Sequence, residues 1–234
     1  LPSCVICFWA CSIFYLLGWE CCFSVFRCLS PYLAAAKLTA TAIAGAGSST
    51  VTVCGGLPGR GCEHRCLGDR IAAATYLSAA AAAGGEIFLR GVDYRHLSTV
   101  TTALRQAGCR VESEKDAVRL TAPARLRAIP PVRTSPYPGF PTDAQAVLMA
   151  ALLRSRGTTV FVENMFDSRY RHVPELVRLG ADIRTEGRVA VVCGAERLYG
   201  ARVRAADLRG GAALVLAGLQ AEGTTEVEQI HHIE

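Results

Sequence analysis

With 234 residues, 51% of them hydrophobic and 19% charged, and with 22 glycines against 10 prolines, the chain suits one large domain, or a domain with a tail. A multidomain machine, a collagen-like rod and a wholly disordered chain are excluded. The formal net charge is +5, and the whole excess lies in residues 37–234, because residues 1–36 hold one Arg and one Glu; such a balance favours anionic ligands.

The N-terminal segment, residues 1–40, differs from the rest. Six of the eleven cysteines (Cys4, Cys7, Cys11, Cys21, Cys22, Cys28) fall here, among Phe8, Trp9, Phe14, Trp19, Phe23 and Phe26. Residues 1–19 carry no charge, about the length of a membrane span, although Pro2, Ser3, Ser12 and Gly18 dilute the signal. No basic region precedes the apolar run, which argues against a secretory signal. A zinc site needs four ligands, and this segment has no His and poor Cys spacing. Three readings stay open for residues 1–40: an artefactual or disordered extension, a membrane segment, or a buried helix. Contact with a membrane depends wholly on whether this Cys-rich extension is genuine.

Residues 41–66, with the alternating strand Val51-Thr52-Val53-Cys54 and then Gly55, read as the tail of a preceding repeat. From residue 67 to 234 the pattern recurs. Asp69, Asp143 and Asp207, at comparable intervals, each precede an Ala/Leu-rich stretch that predicts a helix, at 71–83, 144–153 and 208–219. Each is expected to end at a Gly-led turn, at Gly84, Gly157 and Gly223, before strands at 87–89, 160–162 and 226–230. Second helices are expected at 97–107 and 173–179, closed by Gly108 and Gly180 and followed by strands at 109–111 and 181–183. A further alternating strand at 189–193 leads into Gly194, with a poorer copy at 117–120. The third unit stops where its second helix should begin, so both ends look cut. These alternations predict an α/β fold of repeated units.

The stretch from Arg133 to Gln145 is the densest in chemistry. Pro136, Pro138, Gly139 and Pro141 around Tyr137 and Phe140 predict a stiff exposed turn, and Thr142 with Gln145 has the form of a capping box. Asp143 then falls in the first helical turn, either as a plain helix-start carboxylate or as a general base beside a bound hydroxyl. Arg70 and Arg209 follow repeat aspartates, and Arg169 and Arg171 approach the second helix. Such guanidinium groups bind phosphate or carboxylate, or else pair with the neighbouring Asp. His172, His231 and His232 form no metal-spaced set, and no Walker motif, nucleophile elbow or HExxH pair is present.

Phe140-Pro141-Thr142-Asp143-Ala144-Gln145-Ala146, the run from Glu163 through Arg169 to Leu176, Ala206-Asp207-Leu208-Arg209 and the run from Leu216 to Thr225 resemble the UDP-N-acetylglucosamine 1-carboxyvinyltransferase family of enolpyruvyl transferases. The resemblance covers about residues 43–234. It implies the inside-out α/β repeat fold of that family, mostly one of its two lobes. It also implies a cytoplasmic, cofactor-free and metal-free transfer of the enolpyruvyl group of phosphoenolpyruvate to the 3'-hydroxyl of UDP-N-acetylglucosamine, the first committed step of peptidoglycan synthesis. Carried over, Asp143 contacts the sugar and deprotonates its hydroxyl. Met165 contacts the UDP-sugar where a smaller aliphatic residue is usual, Arg169 and Arg209 organise the phosphoenolpyruvate end, and Arg70 joins the substrate-binding set.

Departures accompany the match. The family's Lys-Asn pair, its loop cysteine and a late arginine have no counterpart here, so no cysteine takes the catalytic role. Leu67-Gly68-Asp69-Arg70 and Val147 depart from the usual residues. The expectation is a fragment without measurable activity alone, since lost orientation is worth roughly 7–11 kcal/mol. The alternatives are a non-catalytic UDP-sugar-binding remnant and an RNA-binding relative of the RNA 3'-terminal phosphate cyclases. Dispersed bases and few aromatic residues argue against nucleic acid.

Overall fold

A computed structural model describes residues 42–45, 49–54 and 66–232, so the readings of residues 1–40 lie outside it. The chain divides into two compact units, Leu1–Cys66 with Pro136–Pro138, and Leu67–Ser135 with Gly139–Glu234. In the first, β1 (Ala42–Ala44) pairs antiparallel with β2 (Thr52–Cys54), Ala42 opposite Cys54.

The second unit holds the repeats. Its first copy comprises α1 (Arg70–Ala83), β3 (Glu86–Arg90), α2 (Ser98–Gln106), β4 (Arg110–Glu114) and β5 (Ala117–Thr121). The strands form a sheet of order β3-β5-β4, antiparallel throughout. In the second copy α3 (Thr142–Ala151), β7 (Thr158–Val162), α4 (Val173–Arg178), β8 (Asp182–Glu186) and β9 (Val189–Cys193) repeat the scheme. Its order is β7-β9-β8, with the short β6 (Val132–Arg133) added parallel to β7. Registers match residue for residue, Glu86 opposite Thr121 becoming Thr158 opposite Cys193, and Arg90 opposite Ala117 becoming Val162 opposite Val189. The third copy supplies β10 (Leu198–Tyr199), β11 (Arg202–Arg204), α5 (Leu208–Gly218), β12 (Ala221–Glu222) and β13 (Glu226–Glu228), with β10 parallel to β12 and β11 parallel to β13.

Helices lie inside and sheets outside. Every residue of α3 is buried except Asp143, as expected of a helix that is apolar all round. α1 and α5 both pack against it and also touch each other. β7 and β9 bury alternate residues, Thr159 and Phe161, Ala190 and Val192, because successive strand side chains point to opposite faces.

Several expectations need correction. Pro141, not Thr142, is the N-cap of α3, and Asp143 lies in the first turn as expected. No capping box forms: the Thr142 hydroxyl donates to Glu163 Oε2 at 2.9 Å, and Gln145 is fully buried. Phe140 is buried too, because Ser135 N donates to its carbonyl and folds the segment back. α3 stops at Ala151 and runs through a 3-10 turn (Leu152–Arg154), so Gly157 (φ 102°) opens the next strand rather than closing the helix. α5 likewise ends at Gly218, well before Gly223. The poor strand copy at 117–120 is the full central strand β5, and a 3-10 turn (Ile230–His232) follows β13.

Candidate active site

The geometry around Asp143 follows from where three helices begin. Asp69 and Asp207 are N-caps whose carboxylates satisfy free helix-start donors: Asp69 Oδ1 accepts from Ile71 N (2.7 Å) and Ala72 N (3.2 Å), and Asp207 Oδ1 from Gly210 N (2.8 Å). α3 opens instead on Pro141, which has no side-chain acceptor. Asp143 is therefore the second residue inside its helix, and its carboxylate has no capping role.

That carboxylate gathers two guanidinium groups. Asp143 Oδ1 accepts from Arg169 Nη2 at 2.8 Å and from Arg209 Nε at 3.2 Å. Arg209 is the second residue of α5, the same helical position that Asp143 holds in α3, and the two helices pack side by side. Arg209 thus pairs with a carboxylate distant in sequence rather than with Asp207. Arg169, from the turn before α4, also donates to the Thr142 carbonyl at 3.4 Å, and its guanidinium lies 5.3 Å from the centre of the Phe166 ring. The Asp143 side chain is 42% exposed, against 18% for Arg169 and 29% for Arg209. One carboxylate between two guanidinium groups leaves one formal positive charge on a solvent-facing cluster.

Met165 sits partly buried in the turn after β7, its N–H donating to Glu163 Oε1 at 2.8 Å. Arg70 is the first residue of α1, one position from the N-cap Asp69. Arg171 is exposed. Asp143, Arg169 and Arg209 are therefore joined directly, while Met165 reaches them only through its turn, and Arg70 stands at another helix start.

Two side chains without a predicted role prove central to the local build. Glu163 is fully buried, and its oxygens accept from Thr134 Oγ1 (2.8 Å), Thr142 Oγ1 (2.9 Å), Met165 N (2.8 Å) and Phe166 N (3.3 Å). His172, the N-cap of α4, is 1% exposed. Burial holds its imidazole down to about 4, the Asp207 charge opposing this and the Arg169 charge adding to it. It lies against α5, where a Cβ on Gly210 would come within 2.9 Å of the His172 Cβ. Glycine at 210 allows that approach. Among the described residues no group of three or more His, Cys, Asp or Glu could hold a metal ion, and no helix is long and apolar enough to cross a membrane.

This fold is that of the enolpyruvyl transferases. The profile of the family described as EPSP synthase (3-phosphoshikimate 1-carboxyvinyltransferase) matches residues 37–234. The enolpyruvyl transferase NikO from Streptomyces tendae superposes with a TM-score of 0.69 at 27% identity, over 83% of this chain and 47% of that one. EPSP synthase from Acinetobacter baumannii shares the fold, with a TM-score of 0.51 at 21% identity over 66% and 38% of the two chains. UDP-N-acetylglucosamine 1-carboxyvinyltransferase of Myxococcus xanthus is 47% identical over 82% of this chain and 46% of its own length. The protein of the same name from Desulfofundulus thermocisternus is 47% identical over 82% and 79%. The chain belongs to the enolpyruvyl transferase family, among the UDP-N-acetylglucosamine 1-carboxyvinyltransferases. It spans about half the length of most of the curated relatives it matches.

Proposed function

We propose that the second unit carries one wall of the site at which the enolpyruvyl group of phosphoenolpyruvate joins the 3'-hydroxyl of UDP-N-acetylglucosamine, a cytoplasmic step that commits material to peptidoglycan. One observation carries this reading: Asp143, Arg169 and Arg209, from three separate segments, meet at a single carboxylate oxygen and keep a net positive charge facing solvent. The Asp143 carboxylate takes the proton of the sugar hydroxyl as its oxygen attacks C2 of phosphoenolpyruvate, while C3 takes a proton from solvent water. In the second step phosphate leaves C2 with the C2–O electron pair and C3 gives up a proton to solvent, restoring the double bond. Arg169 and Arg209 hold the phosphate and carboxylate of phosphoenolpyruvate by paired hydrogen bonds. Met165 lines the UDP-sugar side, and Arg70, at its own helix start, contributes a further contact to the anionic ligand. The chemistry needs no cofactor, and residues 41–66 are the tail of the repeat that precedes this lobe.

Calorimetric titration of the chain with UDP-N-acetylglucosamine tests the reading. Binding is expected, weakened about tenfold or more, roughly 1.4 kcal/mol, by Asp143→Ala and by Met165→Glu. Phosphoenolpyruvate added to the sugar complex should bind, and Arg209→Ala should abolish that second event. Absence of any UDP-sugar binding to the wild-type chain refutes it.

A further inference from the structure

The position of Glu163 is informative because the fold supplies its own control. Its counterpart in the first copy is Gly91, also the first residue past its strand. Gly91 N donates to the Asp116 carbonyl (2.8 Å) just as Glu163 N donates to the Arg188 carbonyl (2.8 Å), and Asp116 and Arg188 are themselves equivalent, each standing just before the central strand of its sheet. The sheets around them have the same order and register. The two copies thus share this backbone hydrogen bond but not the local conformation: Gly91 takes a left-handed φ of 75° that Glu163 does not adopt, and the second copy places a buried carboxylate where the first has no side chain.

A buried carboxylate needs its lone pairs filled, and Glu163 has all four donors described above with no cation among them. These donors come from three segments: the residue after β6, the first residue of α3, and the turn after β7. Asn164 reinforces the junction, its N–H donating to Thr134 Oγ1 (2.8 Å) and its amide Nδ2 to the Thr134 carbonyl (3.0 Å). Two of the segments lead directly to the site. Thr142 immediately precedes Asp143, and the 163–168 turn carries Phe166, over which Arg169 lies.

We infer that Glu163 is a positioning residue: a buried carboxylate latch that, through Thr142 and through the N–H groups of Met165 and Phe166, fixes where the Asp143 carboxylate stands relative to Arg169 and Arg209. The latch deepens the function proposed above and rests on it for its purpose, though not for its geometry. Thr142 is the cleanest handle, because Thr142→Val cuts the bond to Glu163 and Thr142→Ser keeps it.

The test follows the Arg209 Nε–Hε resonance in the 15N-labelled chain, together with amide exchange through β7 and β9 and UDP-N-acetylglucosamine affinity. In the wild type that Hε is protected by Asp143. Thr142→Val is expected to lower its protection about tenfold and the ligand affinity by a similar factor, while the Phe161 and Val191 amides keep theirs. Thr142→Ser should restore both, and Glu163→Gly, which copies the first repeat, should retain the sheet and lose the Arg209 signal. An unmoved Arg209 resonance in Thr142→Val overturns the latch, as does protection lost equally across Arg209 and the sheet, since that marks a merely structural role. Failure of the wild type to bind the sugar rejects the function proposed above and leaves the Arg209 resonance to decide the latch.

Discussion

The first and second repeat copies share sheet order and register throughout, yet only the second carries the cluster of Asp143 with two arginines. In the first copy the second residue of the opening helix is Ile71; in the second copy it is Asp143, and in the third it is Arg209. The capping aspartates Asp69 and Asp207 have as their counterpart Pro141. Moving a carboxylate from the cap to the second helical position turns it by about 200° around the axis, from the helix's own N–H groups toward its neighbours. The scaffold tolerates either arrangement, so the site costs the fold little and can be altered without undoing it.

Perturbing this pair of copies should separate fold from site. The largest effect is expected at the end of the central strands. Ala122 follows β5 and Gly194 follows β9, and a Cβ at 194 would lie 1.5 Å from the Ser155 carbonyl oxygen. Gly194→Ala should therefore cost about 3 kcal/mol or more in urea unfolding, whereas Ala122→Gly should cost about 1 kcal/mol or less.

Next comes pH. Buried Val100 in the first copy is matched by buried His172 in the second. The folded imidazole stays neutral down to about 4, while the unfolded one takes a proton near 6.5. Between these values the unfolded chain binds more protons, so stability is lost as pH falls from 6.5 to 4, by about 3 kcal/mol. His172→Val should remove that part of the slope in unfolding measured across the same range.

Smaller still, Asp69→Ala should cost about 1 kcal/mol through loss of a cap. Asp143→Ala, which caps nothing and is partly exposed, should shift stability by less than about 0.5 kcal/mol. Equal losses from the two substitutions would erase the distinction drawn between them.

Much of this was legible in the sequence for identifiable reasons. Helices with strong Ala/Leu content, helices closed by Gly108 and Gly180, and a strand closed by Gly194 announce themselves locally, and the long motifs around Asp143, Arg169 and Arg209 carry the family. The interval from Asp69 to Asp143 overshoots the true repeat, because Asp143 resembles a cap in sequence while Pro141 occupies the cap in space. The strands β6, β10, β11 and β12 are very short and have parallel partners distant in sequence, which leaves no room for alternation to register. Glu163 had a readable signal: buried Thr159 and Phe161 alternate toward it, so the next inward position is a carboxylate. Its partners Thr134 and Thr142 stand far from it along the chain and emerge only once it has folded.

A crystal structure of the chain with UDP-N-acetylglucosamine bound is the most direct test of the account. The sugar 3'-hydroxyl should lie about 2.6–3.2 Å from an Asp143 carboxylate oxygen, with Met165 against the ligand and Arg209 still beside Asp143. A sugar seated with its 3'-hydroxyl away from Asp143, on a surface that includes neither arginine, would contradict it.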